Sequence, residues 1–390
     1  AFQDALTNLS NELISGNGPD IFDLQGLDIE NLVEKGALED LTPYLKKSDV
    51  VSAEVVFPAI LKGATYDGVL AYVPSTFVLR TLAAKSSLVG EKSGWTCGEM
   101  IELARQYPDA ELMEYSDKSS ALNMMMMLSK DHFVDEKANT CQFDTEEFKE
   151  VLRFVNSFPD EASYGGRLVP YRLADNSLLT TEAYIYSFRT VQTILGYFGD
   201  EDVTFVGYPT YDDNNGCMII PSNCYGIFSK SQYKDGAWEV LESLLVAEED
   251  PNWGSWGFSS FVSRYEKQKE AVLQVEYVYD ENGEILLDDE GNPVVQNPLL
   301  NSSYGMVGDD GEEWNYEYHA ITPEEVDVVE RLLLRAKVVD ASSLYGMSTD
   351  SSLNSIIKEE ADAYFMGTKS IDEVVSIIQN RVNLYLKENQ

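Results

Sequence analysis

Few side chains in this 390-residue sequence are spaced for catalysis. Its two histidines, His132 and His319, lie far apart and form no metal-binding pair, and the chain has neither a G-x-S-x-G elbow nor a phosphate loop. Gly16-Asn17-Gly18-Pro19 follows a helical pattern instead of a strand and lacks the third glycine of a dinucleotide fingerprint, so that reading fails. A glycosidase needs only two carboxylates, and among 67 acidic residues a pair discriminates nothing. Aromatic residues are more informative. Sugar rings stack their apolar C–H faces on aromatic planes, while their hydroxyls need amides, hydroxyls, carboxylates or arginine. The turn Trp253-Gly254-Ser255-Trp256 is the clearest such candidate, because two tryptophans among glycines are costly to leave wet unless something covers them.

Such groups need elements to hold them. Phe2, Leu6, Leu9 and Leu13 recur at helical spacing, which predicts an amphipathic helix that stops at Gly16-Asn17-Gly18, with Pro19 unable to continue it. A short strand, Asp20–Asp23, then meets a polar turn at Gln25-Gly26 and a second helix that Gly36 can end. A strand emptying into a loop before a helix is where α/β sheets bind ligands. Capping patterns mark further helix starts at Thr96 with Glu99, Asp144 with Glu147, Thr322-Pro323 with Glu325, and Ser370 with Glu373. The last opens a helix striped by Val374, Ile378, Val382 and Tyr385, and the run Met124–Met127 reads as helical core. Strands are expected at Val69–Val73, Val203–Tyr208, Met218–Pro221 and Tyr225–Phe228, and their alternation with helices indicates an α/β fold. Residues 276–297 stand apart: acidic turns at Asp280–Gly283 and Asp288–Asn292 flank Ile285-Leu286-Leu287 and suggest a hairpin-like surface insertion. Their glycines come too early for an EF-hand calcium loop.

The wording from Ile14 to Leu45, with Gly18-Pro19-Asp20-Ile21 and Lys35-Gly36-Ala37-Leu38-Glu39-Asp40-Leu41-Thr42-Pro43, resembles the second βα unit of extracellular solute-binding proteins of the maltose-binding type, which serve sugar ABC importers. Further stretches fit that family in the same order: Tyr66–Pro74 with Gly94-Trp95-Thr96, Val203–Pro209 with Gly226–Lys230 and Ala237-Trp238-Glu239, and the tail from Ile356 to Val382. The resemblance implies a two-lobed periplasmic-binding-protein-like fold of class II, the Venus-flytrap type. Lobe one would comprise 1–76 and 209–258, lobe two 80–205 and 262–390, with closure about Val73–Thr76 and Tyr208–Thr210. It implies ligand contacts at four places: Gln25 and Asp28; Ser75 and Thr76; Tyr184, Tyr186 and Arg189; and Trp253 and Trp256. Packing stays open beside binding for Tyr184 and Tyr186, which alternate with Ile185, and Asp28 is placed to cap the helix near Ile29.

The same resemblance implies a carbohydrate ligand, an ABC permease as partner, no cofactor or metal, and a monomer outside the cell. It also implies a lipid-attachment segment upstream, together with a strand–helix–strand of roughly 30 residues before the Phe2 helix, without which the chain is expected to aggregate or bind poorly. A receptor of the same fold for a peptide, polyamine or other solute is the rival, and a cell-surface glycoside hydrolase the rival of another class. A net charge of −39 repels nucleic acid and anionic membranes, and no basic cluster offsets it. Cys97, Cys141, Cys217 and Cys224 are too few and too scattered for a disulfide scaffold, although Cys217 and Cys224 leave open a bridge across a turn or a pair of buried thiols. No apolar run reaches the roughly 18 residues of a membrane span.

Overall fold

The computed structural model describes residues 2–52, 55–114, 116–135, 138–162, 166–211, 216–246, 257–275, 277–280, 282–287, 291, 293–294, 303–339 and 352–388. Its organising element is a strand absent from the sequence-based expectation. The sequence suggests a strand over Val69–Val73, but only Val69–Leu70 pairs there, and the long strand begins after Pro74 at Thr76–Lys85. Every residue of that strand except Arg80 is buried, so it reads as one continuous apolar run without the alternation that marks a half-exposed strand.

Strands are numbered here in chain order: β1 (Ile21–Asp23), β2 (Thr76–Lys85), β3 (Thr180–Ile185), β4 (Val203–Phe205), β5 (Met218–Ser222), β6 (Tyr225–Ile227), β7 (Phe258–Ser259), β8 (Ser303–Val307), β9 (Glu313–Glu317) and β10 (Lys337–Val338). β2 carries β7 and β3 along one side and β5 and β4 along the other, all antiparallel, and β10 adds to β5 in parallel. β1 pairs with β6 in a separate small sheet. Successive side chains of β2 and β5 point to opposite faces. Phe77, Leu79, Ala83 and Ile219 therefore enter one core, and Val78, Leu82, Ala84 and Ile220 enter a second. The first core continues across the β1–β6 sheet through Phe22 and Ile227, while the second collects Met124, Met125, Val374, Ile378 and Val382.

Local signals hold where they are strongest. The helix Phe2–Ser15 ends before Gly16 at φ +92°, and Thr96 and Thr322 each close a capping box. Ser370 and Glu373 exchange the same pair of bonds. Asp144 does not cap the helix Glu146–Val155; Thr145 does, its extended backbone aiming the hydroxyl at the Phe148 N–H. The strand expected to reach Tyr208 stops at Phe205 because Gly207, at φ +83°, lies against the backbone of Gly216, where a Cβ would come within 2.8 Å of a backbone carbon. Tyr208 and Thr210 are buried, and Thr210 exchanges backbone bonds with Trp95 and Cys97.

Cys217 and Cys224 form no disulfide, and all four cysteines are thiols. The chain does not fold back between them: β6 pairs with β1 and not with β5, so no hairpin brings the two thiols together. In the 276–297 region the described residues pair Tyr279 with Ile285 and Leu287 with Pro293, so a third segment follows the hairpin. A second hairpin, β8–β9, lies flat on the helix Phe188–Tyr197, where Gly196 leaves space that a Cβ would fill to within 2.3 Å of the Tyr316 ring. Among the described residues no helix is long and apolar enough to cross a membrane.

Candidate functional site at the sheet end

The chain passes from β5 into β6 through Asn223, whose φ of +56° suits the short polar side chain of asparagine. The Asn223 amide donates to the Ser75 hydroxyl at 3.2 Å and so ties this crossing to the one that leads into β2. The Leu24 N–H donates to the Cys224 carbonyl at 2.9 Å, which sets Gln25 beside the same turn. On the other side of β2, Ser259 pairs with Thr76, the Ser260 N–H donates to the Ser75 carbonyl, and the Gly257 N–H donates to the Tyr186 carbonyl. Gln25, Ser75, Thr76 and Tyr186, drawn from three distant stretches, thus gather at one end of the six-stranded sheet.

A cavity of about 230 Å³ opens at this end, lined by Val73, Ser75, Asn223, Tyr225, Trp238 and Leu241 among others. Among the described residues no charged side chain lines it. Its volume lies below the roughly 300–1,000 Å³ usual for drug-sized ligands, which suits a single small ring. Trp238 is held by the Tyr44 ring, with centroids 5.6 Å apart, so one wall of the cavity is a fixed aromatic. Of the expected contact residues that are described, Ser75 alone lines this space. Asn223, Tyr225 and Trp238 escaped the sequence reading as site residues. The one local signal was an asparagine between two short strands, a residue tolerant of left-handed geometry.

The remaining expected residues have definite places. Asp28 caps the helix Ile29–Glu34, accepting from the Asn31 N–H at 3.0 Å. Thr76 is 3% exposed, and its hydroxyl is buried without a hydrogen-bond partner. Tyr184 lies opposite Arg80 with its side chain 42% exposed, and Tyr186 packs against the second core. Arg189 sits in the first turn of the helix Phe188–Tyr197, which Ser187 caps. Its guanidinium stands 4.6 Å from the Tyr318 ring centroid, and the Tyr318 hydroxyl meets that of Thr193 at 2.8 Å. Burial pushes the Arg189 guanidinium below the usual arginine range, with the Tyr318 phenol acting the other way. Trp253 and Trp256 lie outside the described residues.

Known proteins share this architecture. The sugar-binding protein MalE from Xanthomonas citri is 16% identical, with a TM-score of 0.57 over 100% of this chain and 89% of that one. A solute-binding protein from Thermotoga lettingae TMO, solved with alpha-D-tagatose, is 16% identical with a TM-score of 0.53, covering 99% and 90%. A periplasmic oligogalacturonide-binding protein from Yersinia enterocolitica is 14% identical with a TM-score of 0.55, covering 98% and 88%. No curated protein matches the sequence. These likenesses establish the two-lobed α/β fold of periplasmic solute-binding proteins. The family model for bacterial extracellular solute-binding proteins matches residues 1–263, whose members are receptors of ABC importers and not enzymes, and on that match this chain belongs to the family.

Proposed function

We propose that this receptor captures a carbohydrate between its lobes, with the sheet-end cavity of lobe one as one wall of the site, and presents it, as a monomer, to an ABC permease. The observation that carries the reading is the lining of the sheet-end cavity, where Trp238 and Tyr225 supply aromatic surface and Ser75 and Asn223 supply uncharged hydrogen-bonding groups. A polyamine would call for carboxylates there, and a peptide for partners to its charged ends; among the described residues the lining offers neither. Sugars named with three structural neighbours support the same reading. Gln25, beside the cavity, and Tyr186, across β2, are the further contacts we assign, with flexing at Val73–Ser75 and Asn223. We assign lobe one to 1–76 with 209–258 and lobe two to 80–205 with 262–390.

A ligand that binds only the folded chain stabilises it by mass action, about 2.7 kcal/mol at a hundredfold excess over Kd. Thermal-shift screening against mono- and oligosaccharides, followed by chromatography of the sugar after overnight incubation, should therefore show a raised melting temperature with the sugar intact. Shorter products, or a response to peptides or polyamines alone, would refute the proposal.

A further inference from the structure

The lining of the sheet-end cavity sorts by depth. Leu41, Val73, Leu241, Leu245 and Trp238 are each between 1% and 7% exposed, and they form its inner end. The remaining members lie further out: Ser75 and Tyr225 are half-buried, and Asn223 and Leu244 are exposed. Of the inner side chains Trp238 alone has a polar atom, an indole N–H that donates and cannot accept. Backbone acceptors there are engaged as well, since the Leu41 carbonyl takes the N–H groups of Tyr44 and Leu45 and the Leu245 carbonyl takes Nη1 of Arg264. A hydroxyl carried to the inner end therefore finds no side-chain acceptor for its proton among the described lining residues, while a methyl group meets carbon on several sides.

An ordinary hexose is a poor match for such an end. A hexopyranose carries hydroxyls on C1 to C4 and another on C6, so whichever edge enters first brings a hydroxyl with it. Removing the C6 oxygen changes one edge: it then presents a methyl group and the ring oxygen, and asks only for carbon and a donor. We propose that the cavity receives a 6-deoxyhexose, free or at the end of a chain, with its C6 methyl among Leu41, Leu241 and Leu245, its ring against Trp238, and its opposite hydroxyls at Ser75 and Asn223. The mouth suits that orientation. The Ser75 hydroxyl accepts from the Asn223 amide and keeps its own proton to donate, while the Asn223 carbonyl oxygen and second amide proton are left for the sugar. Water at the inner end has few polar partners, so a methyl group that displaces it gains affinity. The inference rests on the carbohydrate reading above and deepens it by naming the class of sugar.

The test uses the wild-type chain and sugars paired to differ by a single oxygen: D-galactose with D-fucose, D-glucose with 6-deoxy-D-glucose, L-galactose with L-fucose, and L-mannose with L-rhamnose. Calorimetry should show the deoxy member of at least one pair binding about 10- to 100-fold tighter than its hydroxylated twin, the range in which an apolar pocket discriminates against one unpaired hydroxyl. If sugars bind but the deoxy member is favoured less than about tenfold in every pair, the inference is overturned and the carbohydrate reading stands. If no mono- or oligosaccharide of either kind raises the melting temperature, both fail. Leu241→Asn sets an acceptor at the inner end and should bring the deoxy preference down to about threefold or less. A merely structural role for Leu241 would weaken both members of a pair alike, so an unchanged ratio in this variant also overturns the inference. Leu245→Gln makes the same change from the next helical turn should Leu241→Asn not fold, and the wild-type ratio decides independently of either variant.

Discussion

Asn223 performs two tasks that substitution can separate. Its backbone occupies the left-handed region at φ +56°, and its amide donates to Ser75 at the mouth of the cavity. Asn223→Gly keeps the backbone comfortable and removes only the amide. The lost hydrogen bond is partly exposed and should cost about 0.5–1.5 kcal/mol of stability. Asn223→Ala removes the same amide and adds a Cβ in left-handed geometry, a further cost of about 1–2 kcal/mol. The two variants should therefore differ in urea stability by about 1 kcal/mol or more, alanine being the weaker, yet share one sugar affinity, lowered about tenfold. Urea denaturation followed by tryptophan fluorescence reads the first quantity, and calorimetry reads the second. Equal stabilities would refute the backbone argument. Wild-type affinity in the glycine variant would remove Asn223 from the ligand site.

Other consequences are quicker to check. Gly196→Ala drives a methyl group into the Tyr316 ring and should destabilise the chain by about 1–3 kcal/mol, read as a lower urea midpoint. Thr145→Ala should cost about 1 kcal/mol by losing the cap, whereas Asp144→Ala should cost almost nothing, a contrast that thermal melting resolves. Burial pushes the thiols of Cys97 and Cys217 up to about 12, so both should resist maleimide at pH 8 until the chain is unfolded. Burial works to raise the Glu360 carboxyl, but hydrogen bonds from Lys369 and Arg381 outweigh it and hold the group below its ordinary 4.5. A depressed carboxyl stabilises fully above its unfolded value and loses that contribution as pH falls through the folded one. Glu360→Gln should therefore flatten the loss of stability below pH 4.5, and an unchanged acid limb in circular dichroism would refute the assignment.

What the sequence made legible was local. Phe2–Leu13 and Val374–Val382 repeat at helical spacing, and Thr96 with Glu99 satisfies backbone N–H groups within one turn, so no distant contact decides them. β2 was hidden for the opposite reason. Covered by a core on each face, Phe77-Val78-Leu79 carries no period, and an apolar run of that kind is strand or buried helix until its partners are known. Those partners are β3, β4, β5 and β7, which begin about a hundred residues or more further on. The β8–β9 hairpin was equally silent, because its seat is a glycine inside a helix, a position that ordinarily reads as a weakness.

The same distinction divides the site. Family wording picked out Gln25, Ser75 and Tyr186 as candidates, and backbone bonds around β2 and at Cys224 bring them to one sheet end. It could not identify Trp238, whose place in the cavity depends on how its helix packs beside Val73 and Tyr225. A tryptophan on an amphipathic helix reads as core from the sequence alone, because the residues that leave one of its faces open to a cavity come from a distant stretch of the chain.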